Sequence, residues 1–206
     1  MKEISKTTIR ESTEWLQIYR FNSTDDQLPR ILLVGDSIVC GHAELVWQAL
    51  KDKCNVDISA TSKCVSDIEF EDEIRFAMLN RNYRCIVFNN GLHGSEIAND
   101  VYAFHLRKLL LELRQRTPKL FWRNSTPVKD TDSNSFNKSD RSPFCRNELA
   151  AEIVKELEID TIDLYSPMKS NSHLFSNDGI HYTVAGQGVQ AEIIAKFLTE
   201  KVFNNP

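Results

Sequence analysis

Long apolar runs, basic stripes and paired cysteines are all missing from this chain of 206 residues. Its apolar stretches are only as long as β-strands, so no segment predicts a transmembrane helix. Lys and Arg number 25 against 29 Asp and Glu, which gives a formal net charge of -4 and no basic face for a nucleic acid. We therefore expect neither a membrane nor a nucleic acid among its partners.

The cysteines and the amino terminus exclude further classes. The five cysteines are odd in number and form no CxxC pair, so the sequence indicates neither a disulfide framework nor a metal site. The first residues, MKEISKTTIRESTEW, lack the apolar core of a secretory signal, which predicts a cytoplasmic protein. The turn GDSIVCGH lacks the GxGxxG pattern, which argues against a dinucleotide-binding or flavodoxin-like module.

Strand-like apolar runs alternate with helical patterns from residue 30 onward. The predicted strands are 30–36, 55–60, 84–89, 119–124 and 159–164. The predicted helices are 41–52, 66–80, 95–116, 143–157 and 183–202. Because this alternation with short connections is typical of a parallel sheet covered on both faces, the sequence predicts an α/β fold. We expect a three-layer α/β/α domain over 1–206, with a central, mostly parallel five-stranded sheet.

Two segments lie outside this alternation. Residues 1–29 form a polar leader, in which Trp15 and Tyr19 belong to a spacing that predicts a short amphipathic helix over 11–21. Residues 128–142, VKDTDSNSFNKSDRS, are almost wholly polar and show no period. That composition fits either a disordered surface loop or a lid or binding loop.

The stretch ILLVGDS ends a buried strand on a small turn that carries Ser37. In an open parallel sheet, ligands bind at the carboxyl ends of the strands. Before the last predicted helix, SNDGIHYT places Asp178 and His181 three residues apart. On a tight turn, Asp178 can accept a hydrogen bond from one ring nitrogen of His181 while the other nitrogen faces Ser37. The order Ser, Asp, His therefore indicates a serine nucleophile with its base and an orienting carboxylate.

A serine nucleophile of this kind also needs donors for an oxyanion. The backbone N–H of Ser37, at a helix start, is one candidate, and the ATSK turn after the second strand supplies another. The residues alone do not decide which amide of the NNG turn, Asn89 or Asn90, is the third donor. His93 in GLHG is a candidate contact for the substrate, and His42 is a candidate at the border of the pocket.

These blocks resemble those of the SGNH (GDSL-like) hydrolases. VGDS is similar to the block that carries the nucleophile, and SNDGIHYTVAGQGVQAEIIAKFL to the block that carries the aspartate and histidine. LPRILLVGDS, ATSKCVSD and VFNNGLHG resemble one bacterial esterase-like branch of the family. The resemblance covers residues 30–200. It implies the flavodoxin-like SGNH fold, Ser37 as nucleophile, His181 as base and Asp178 as its orienting group, with no metal or organic cofactor.

Two blocks depart from the family pattern. Where the second block of the family supplies an oxyanion N–H from a glycine, the matching residue is Lys63, whose side chain adds a charge near the site. The third block, G-x-N-D in the family, is FNNGLHG in this chain. The resemblance to the branch implies Asn89 as the amide donor, with Asn90 behind it. It thus implies an oxyanion hole made by Ser37, Lys63 and Asn89.

The activity that the resemblance implies is hydrolysis of an ester through an acyl-enzyme. Because loop 128–142 is polar and no apolar acyl channel is evident, we expect a short acyl group, such as acetyl, on a carbohydrate or another small molecule. Three alternatives stay open at this point. They are an acyltransferase of the same fold, a lipase or thioesterase for longer chains, and a catalytically inactive binding member.

Overall fold

A six-stranded sheet forms the centre of the computed structural model, which describes residues 3–9, 11–130, 132–133 and 135–204. The strands are β1 (Leu16–Arg20), β2 (Arg30–Gly35), β3 (Asn55–Thr61), β4 (Tyr83–Phe88), β5 (Leu120–Arg123) and β6 (Thr161–Ile162). The helices are α1 (Ser37–Leu50), α2 (Phe70–Met78), α3 (Asn99–Arg114), α4 (Pro143–Glu156), α5 (Tyr165–Ser170) and α6 (Val184–Leu198). A 3-10 turn follows α5 at Ser172–Leu174, and a π-helical turn follows α6 at Thr199–Phe203. The predicted domain, with its leader and polar loop, therefore includes a few positions outside the described residues. These positions are 1, 2, 10, 131, 134, 205 and 206.

The strands β2, β3 and β4 form the buried centre of the sheet. Every residue of β2 and β3 is buried, and Leu33 of β2 lies between Ile58 and Val87 of its parallel neighbours. Aliphatic strands without in-and-out alternation are typical of parallel sheets covered on both faces. One face packs against α2, α3 and α4, and the other packs against α1 and α6. The predicted α/β/α architecture is confirmed.

The N-terminal segment differs from the prediction. A helix over 11–21 is wrong, because Leu16–Arg20 forms β1 and pairs antiparallel with β3, with Ile18 opposite Ser59. This edge strand makes the sheet six-stranded rather than five-stranded. A few apolar residues at helical spacing do not outweigh the pairing that an open sheet edge provides for backbone N–H and C=O groups.

Most other elements lie near their predicted positions, with different ends. Helix α1 begins at Ser37 rather than at residue 41, because the Asp36 side chain accepts the Ile38 N–H and caps the helix. The strand predicted over 159–164 is reduced to β6. The short helix α5, which immediately follows it, was not predicted from the sequence.

Candidate active site

The carboxyl ends of β2, β3 and β4 bring the predicted site loops side by side. In the register of the sheet, Val34 near the end of β2 lies opposite Ser59 of β3 and Phe88 of β4. The turn that carries Ser37 therefore lies between the loop that carries Lys63 and the Asn-Asn pair that follows β4. Three strands thus deliver their polar ends to one edge, as expected for an α/β ligand site.

The turn into α1 exposes the candidate nucleophile. Asp36 caps the helix, so Ser37 is its first residue and its N–H lies at the positive end of the helix. A Cβ on Gly35 would lie only 2.5 Å from Cγ2 of Val39, so glycine allows the helix to pack closely on its own strand. Ser37 is half-buried at this point.

A continuous chain of hydrogen bonds joins the three residues of the predicted triad. Nε2 of His181 lies 2.9 Å from Oγ of Ser37, and Nδ1 of His181 lies 2.6 Å from Oδ2 of Asp178. With Nδ1–H donating to the carboxylate, Nε2 is left to accept the Ser37 hydroxyl proton. The side chains of His181 and Asp178 are 46% and 49% exposed, so both groups are accessible from the solvent.

The Asp178 carboxylate is held in place by its own turn. Its Oδ1 accepts hydrogen bonds from Ser176 Oγ at 2.7 Å, from Ile180 N at 2.9 Å and from His181 N at 2.8 Å. Partial burial raises the pKa of Asp178, but the hydrogen bond from His181 and those from Ile180 and Ser176 hold it well below its usual range. The carboxylate is therefore ionised and can stabilise a protonated His181.

The described part of loop 128–142 packs beside this turn. The N–H of Lys129 donates to the carbonyl of Gly179 at 2.8 Å, and Nη1 of Arg141 donates to the carbonyl of Glu96 at 2.8 Å. Gly179 has a φ of 72°, and a Cβ there would lie 2.7 Å from the Lys129 carbonyl oxygen, so the turn requires glycine. These contacts place the loop against the triad and against the chain that follows β4.

Asn89 has no amide hydrogen left for a substrate. The residue is fully buried, and its Nδ2 donates to the carbonyl of Arg123 at 2.7 Å and to Oγ of Ser125 at 3.0 Å. Its Oδ1 accepts from Nη2 of Arg123 at 2.9 Å. An amide nitrogen carries two hydrogens, and both are bound within the protein.

Asn90 is differently placed. Its Nδ2 donates to the carbonyl of Lys63 at 2.9 Å, and its Oδ1 accepts from the N–H of Val65 at 3.1 Å. The second amide hydrogen makes no hydrogen bond to any residue that the structure describes. The N–H of Lys63 donates to Oγ1 of Thr61 at 3.2 Å, a long hydrogen bond. These contacts favour Asn90 over Asn89 as the side-chain donor.

The side chain of Lys63 is matched by carboxylates. Its Nζ lies 2.9 Å from Glu14, 3.2 Å from Glu73 and 3.4 Å from Glu69, and the side chain is 6% exposed. Burial lowers the pKa of Lys63, but hydrogen bonds and charges from Glu14 and Glu73 raise it above its usual range. The charge expected near the site is therefore neutralised by the N-terminal segment and by α2.

The two other candidate histidines have partners within the protein. Nδ1 of His93 lies 2.7 Å from Oε1 of Glu11, and its ring packs edge-on against Trp15. Its contact with the substrate stays a prediction. His42 is 1% exposed, and its Nδ1–H donates to Oε1 of Gln190 at 2.9 Å. It therefore lies behind the site rather than at its border.

Sequence reasoning missed Arg123 and Gln190, which are buried beneath the nucleophile turn. Arg123 is 1% exposed, and a Cβ on Gly35 would lie 3.2 Å from its Nη2. Its guanidinium donates to Oδ1 of Asn89 and its backbone carbonyl accepts from Nδ2 of Asn89, so Arg123 fixes the orientation of that amide. A charged residue that ends the apolar strand LFWR is the signal that could have identified Arg123, because isolated charges are rarely buried without a role. Gln190 lies on an ordinary helical pattern and has no such signal.

Neither a metal cluster nor a membrane span emerges from the described ranges. Within them, no group of three or more His, Cys, Asp and Glu side chains could hold a metal ion. No helix in the same ranges is long and apolar enough to cross a membrane.

Comparison with known proteins defines the fold. No family model matches the chain, and no curated protein matches it in sequence. An acetyl xylan esterase, AlAXEase, has a TM-score of 0.64 at 16% identity, over 82% of this chain and 99% of that chain. The acetylxylan esterase Axe2 from Geobacillus stearothermophilus has a TM-score of 0.61 at 16% identity, over 84% and 94%. A proposed SGNH hydrolase from Slackia heliotrinireducens has a TM-score of 0.61 at 16% identity, over 82% and 98%.

The chain therefore has the fold of the SGNH hydrolases, as its sequence blocks implied. Sequence identities of this size establish the architecture, while the activity has to be argued from the site.

Proposed function

We propose that this protein is a serine esterase that removes a short acyl group, acetyl in particular, from a carbohydrate or another small hydroxyl compound. The observation that carries the proposal is the hydrogen-bond chain from Ser37 through His181 to Asp178 at the carboxyl edge of the sheet. The likeness of the fold to two acetylxylan esterases supports the choice of an acetyl ester.

Acylation uses the three residues in order. Ser37 Oγ attacks the ester carbonyl carbon while its proton moves to Nε2 of His181. The ionised Asp178 accepts the Nδ1–H bond and stabilises the imidazolium. His181 then gives the proton to the departing alcohol oxygen, and the acyl group stays on Ser37.

The tetrahedral oxyanion receives hydrogen bonds from three donors on neighbouring strands. These are the N–H of Ser37, the N–H of Lys63 and the side-chain amide of Asn90, which takes the role that the family resemblance implies for Asn89. To bind the oxyanion, the N–H of Lys63 exchanges its long hydrogen bond to Oγ1 of Thr61 for one to the substrate. The N–H of Ser37 adds the field of the α1 amino terminus.

The open triad and the polar loop beside it support a bulky hydrophilic alcohol. Both His181 and Asp178 are about half exposed, which leaves their outer side accessible to a bulky alcohol. The loop that borders them, 128–142, is rich in hydroxyl, amide and charged side chains. Sugar hydroxyls hydrogen-bond with such groups, whereas a lipid tail requires a mostly apolar pocket.

The test is ester hydrolysis by the wild type and by Ser37→Ala. The p-nitrophenyl esters of acetate, butyrate and octanoate measure the acyl preference, and acetylated xylo-oligosaccharide is assayed beside them. We expect turnover that is greatest with acetate and is lost in Ser37→Ala. Turnover that rises toward octanoate would favour the lipase or thioesterase alternative. A Ser37→Ala variant that keeps most of the activity would exclude the mechanism.

A further inference from the structure

A small cavity of about 20 Å³ lies directly against the reacting pair, between the first turns of α1 and α6. Its lining residues include Ser37, Gly41, His181, Gln187 and Gln190. Asp178 and the proposed oxyanion donors Lys63 and Asn90 are not among the lining residues. The cavity therefore borders both the candidate nucleophile and the candidate base.

Gln190 presents an unused donor to this cavity. The residue is completely buried, and its Nε2 makes no hydrogen bond to any part of the chain that the structure describes. Its Oε1 accepts the Nδ1–H of His42 at 2.9 Å, which holds the amide in one orientation. A buried amide without an acceptor is costly, so such a group is normally satisfied by protein or by an ordered water.

The Gln187 side chain, which also lines the cavity, is held in place by specific contacts. Its Nε2 donates to the carbonyl of Tyr182 at 3.0 Å, which fixes the side chain across the cavity. A Cβ on Gly41 would come within 3.2 Å of this amide and would force it to shift. The glycine thus preserves the space between the two helices.

The size of the cavity and the polar groups that line it indicate which molecule it can hold. A cavity needs roughly 10–15 Å³ to hold one water molecule, so this cavity has room for one. Ile38 and Tyr182 contribute apolar surface, while the Ser37 hydroxyl, the His181 ring and the Gln190 amide contribute polar groups. A buried water needs about two to four polar partners, and these three groups can provide them.

We propose that this cavity binds the water molecule that hydrolyses the acyl-enzyme, with Gln190 Nε2 as its fixed donor; this inference rests on the proposed function. Once Ser37 Oγ carries the acyl group, it no longer donates a proton to Nε2 of His181. The water then gives a proton to that nitrogen, and its oxygen bonds to the acyl carbonyl carbon. The tetrahedral intermediate collapses with cleavage of the bond to Ser37 Oγ, which takes the proton back from His181 as the carboxylic acid leaves.

This placement favours hydrolysis over acyl transfer. The water is held against α6 by Gln190, so we expect it not to occupy the exposed face of His181 and Asp178 where the alcohol would bind. A held water attacks at a high effective concentration, whereas an external acceptor must diffuse in.

The test separates acylation from deacylation. Wild type, Gln190→Met and Gln187→Met react with p-nitrophenyl acetate in the presence of methanol, and the burst, the steady-state rate and the ratio of acetate to methyl acetate are measured.

In Gln190→Met, we expect the burst rate to be kept while the steady-state rate and the acetate share fall about three- to tenfold, the equivalent of one hydrogen bond. Gln187→Met is the matched comparison, because its amide already has an acceptor, and we expect a smaller change in the ratio. An unchanged ratio in Gln190→Met, or equal losses in burst and steady state, would overturn the inference.

A crystal structure of the wild type gives a second and independent answer. We expect one ordered water within hydrogen-bond distance of Gln190 Nε2 in the free enzyme. A dry cavity, or an acetyl-enzyme with its methyl group in this space, would overturn the inference even if Gln190→Met fails to fold. Labelling of Ser37 by a fluorophosphonate distinguishes the two failures. If the probe does not label Ser37, the proposed function fails. If it labels Ser37 but the Gln190→Met variant keeps the wild-type ratio of acetate to methyl acetate, only this inference fails.

Discussion

Lys63 Nζ lies 2.9 Å from Oε2 of Glu14, which ties the loop after β3 to the segment before β1. Two backbone contacts run beside this ion pair. The N–H of Trp15 donates to Oγ of Ser62 at 3.0 Å, and the N–H of Ser62 donates to the carbonyl of Trp15 at 3.2 Å. The N-terminal segment therefore supports the loop that supplies one of the proposed oxyanion donors.

Replacing Lys63 by Met should affect stability more than catalysis. The substitution removes the buried cation that Glu14 and Glu73 share, and we expect a loss of about 2–3 kcal/mol in the free energy of unfolding. The backbone N–H is retained, so kcat of the folded variant should stay within about tenfold of the wild type. Denaturant unfolding and ester hydrolysis measure the two effects. Glu14→Gln, which removes one of the carboxylates, is the milder comparison, and an unchanged stability in Lys63→Met would contradict the role of these ion pairs.

Asp178→Asn should greatly reduce kcat while the fold is kept. The amide can present a donor to His181 Nδ1 and so select the wrong tautomer, and it cannot stabilise the imidazolium. We expect a loss of up to about 10⁴-fold, smaller than the loss of about 10⁶-fold expected for Ser37→Ala. Steady-state kinetics with p-nitrophenyl acetate measure both, and circular dichroism checks the fold. If Asp178→Asn matched the wild type, the assignment of the orienting carboxylate would be wrong.

Asn89→Ala and Asn90→Ala should lose different properties. Asn89→Ala leaves buried groups of Arg123 without a partner, so we expect its free energy of unfolding to fall by about 1–3 kcal/mol. Asn90→Ala removes the proposed donor, and we expect kcat of the folded protein to fall about 10²- to 10³-fold with little change in KM. Thermal unfolding and kinetics on both variants separate the effects. A larger loss of kcat in Asn89→Ala than in Asn90→Ala would restore the assignment implied by the family resemblance.

His42 should make the protein less stable in acid. Burial, and then the nearby charge of Arg123, lower the pKa of His42 to about 3, against about 6.5 for an ordinary histidine. Between these pH values the unfolded chain binds a proton that the folded protein does not, so stability falls as the pH falls. We expect His42 to contribute a slope of about 1.4 kcal/mol per pH unit in this window.

The measurement is urea unfolding across that pH range for wild type and His42→Gln. The variant keeps a neutral polar side chain, so the slope from this residue should disappear. His173→Gln, at an exposed position, is the control for the loss of a histidine as such. A His42→Gln variant with the same pH dependence as the wild type would refute the prediction.

Much of the fold could be read from local patterns. The aliphatic run before Ser37 and the apolar spacing of the later helices report burial on a scale of a few residues, and that scale sets strand and helix identity. Strand β1 could not be read this way. Its residues match a helical spacing as well as an extended one, and only the free edge of β3 selects the strand.

The candidate triad was also evident from the sequence, because Asp178 and His181 share one turn and Ser37 lies in the turn that follows one strand. The donors around it depend on pairs far apart in the chain. Whether Asn89 or Asn90 keeps a free hydrogen depends on Arg123, more than thirty residues later. Local sequence patterns carry no information about such partners.

The sequence by itself therefore determined the α/β layering and the order of the candidate nucleophile, carboxylate and base, since both follow from short-range periodicity and one tight turn. Only the tertiary structure decided how Lys63 is neutralised and which asparagine amide keeps a hydrogen that no described residue accepts. The proposed water site beside Ser37 also depends on the tertiary structure. The physical reason is that hydrogen-bond capacity and cavity space are shared among distant residues. They are settled when α1, α6 and the carboxyl ends of the strands pack together.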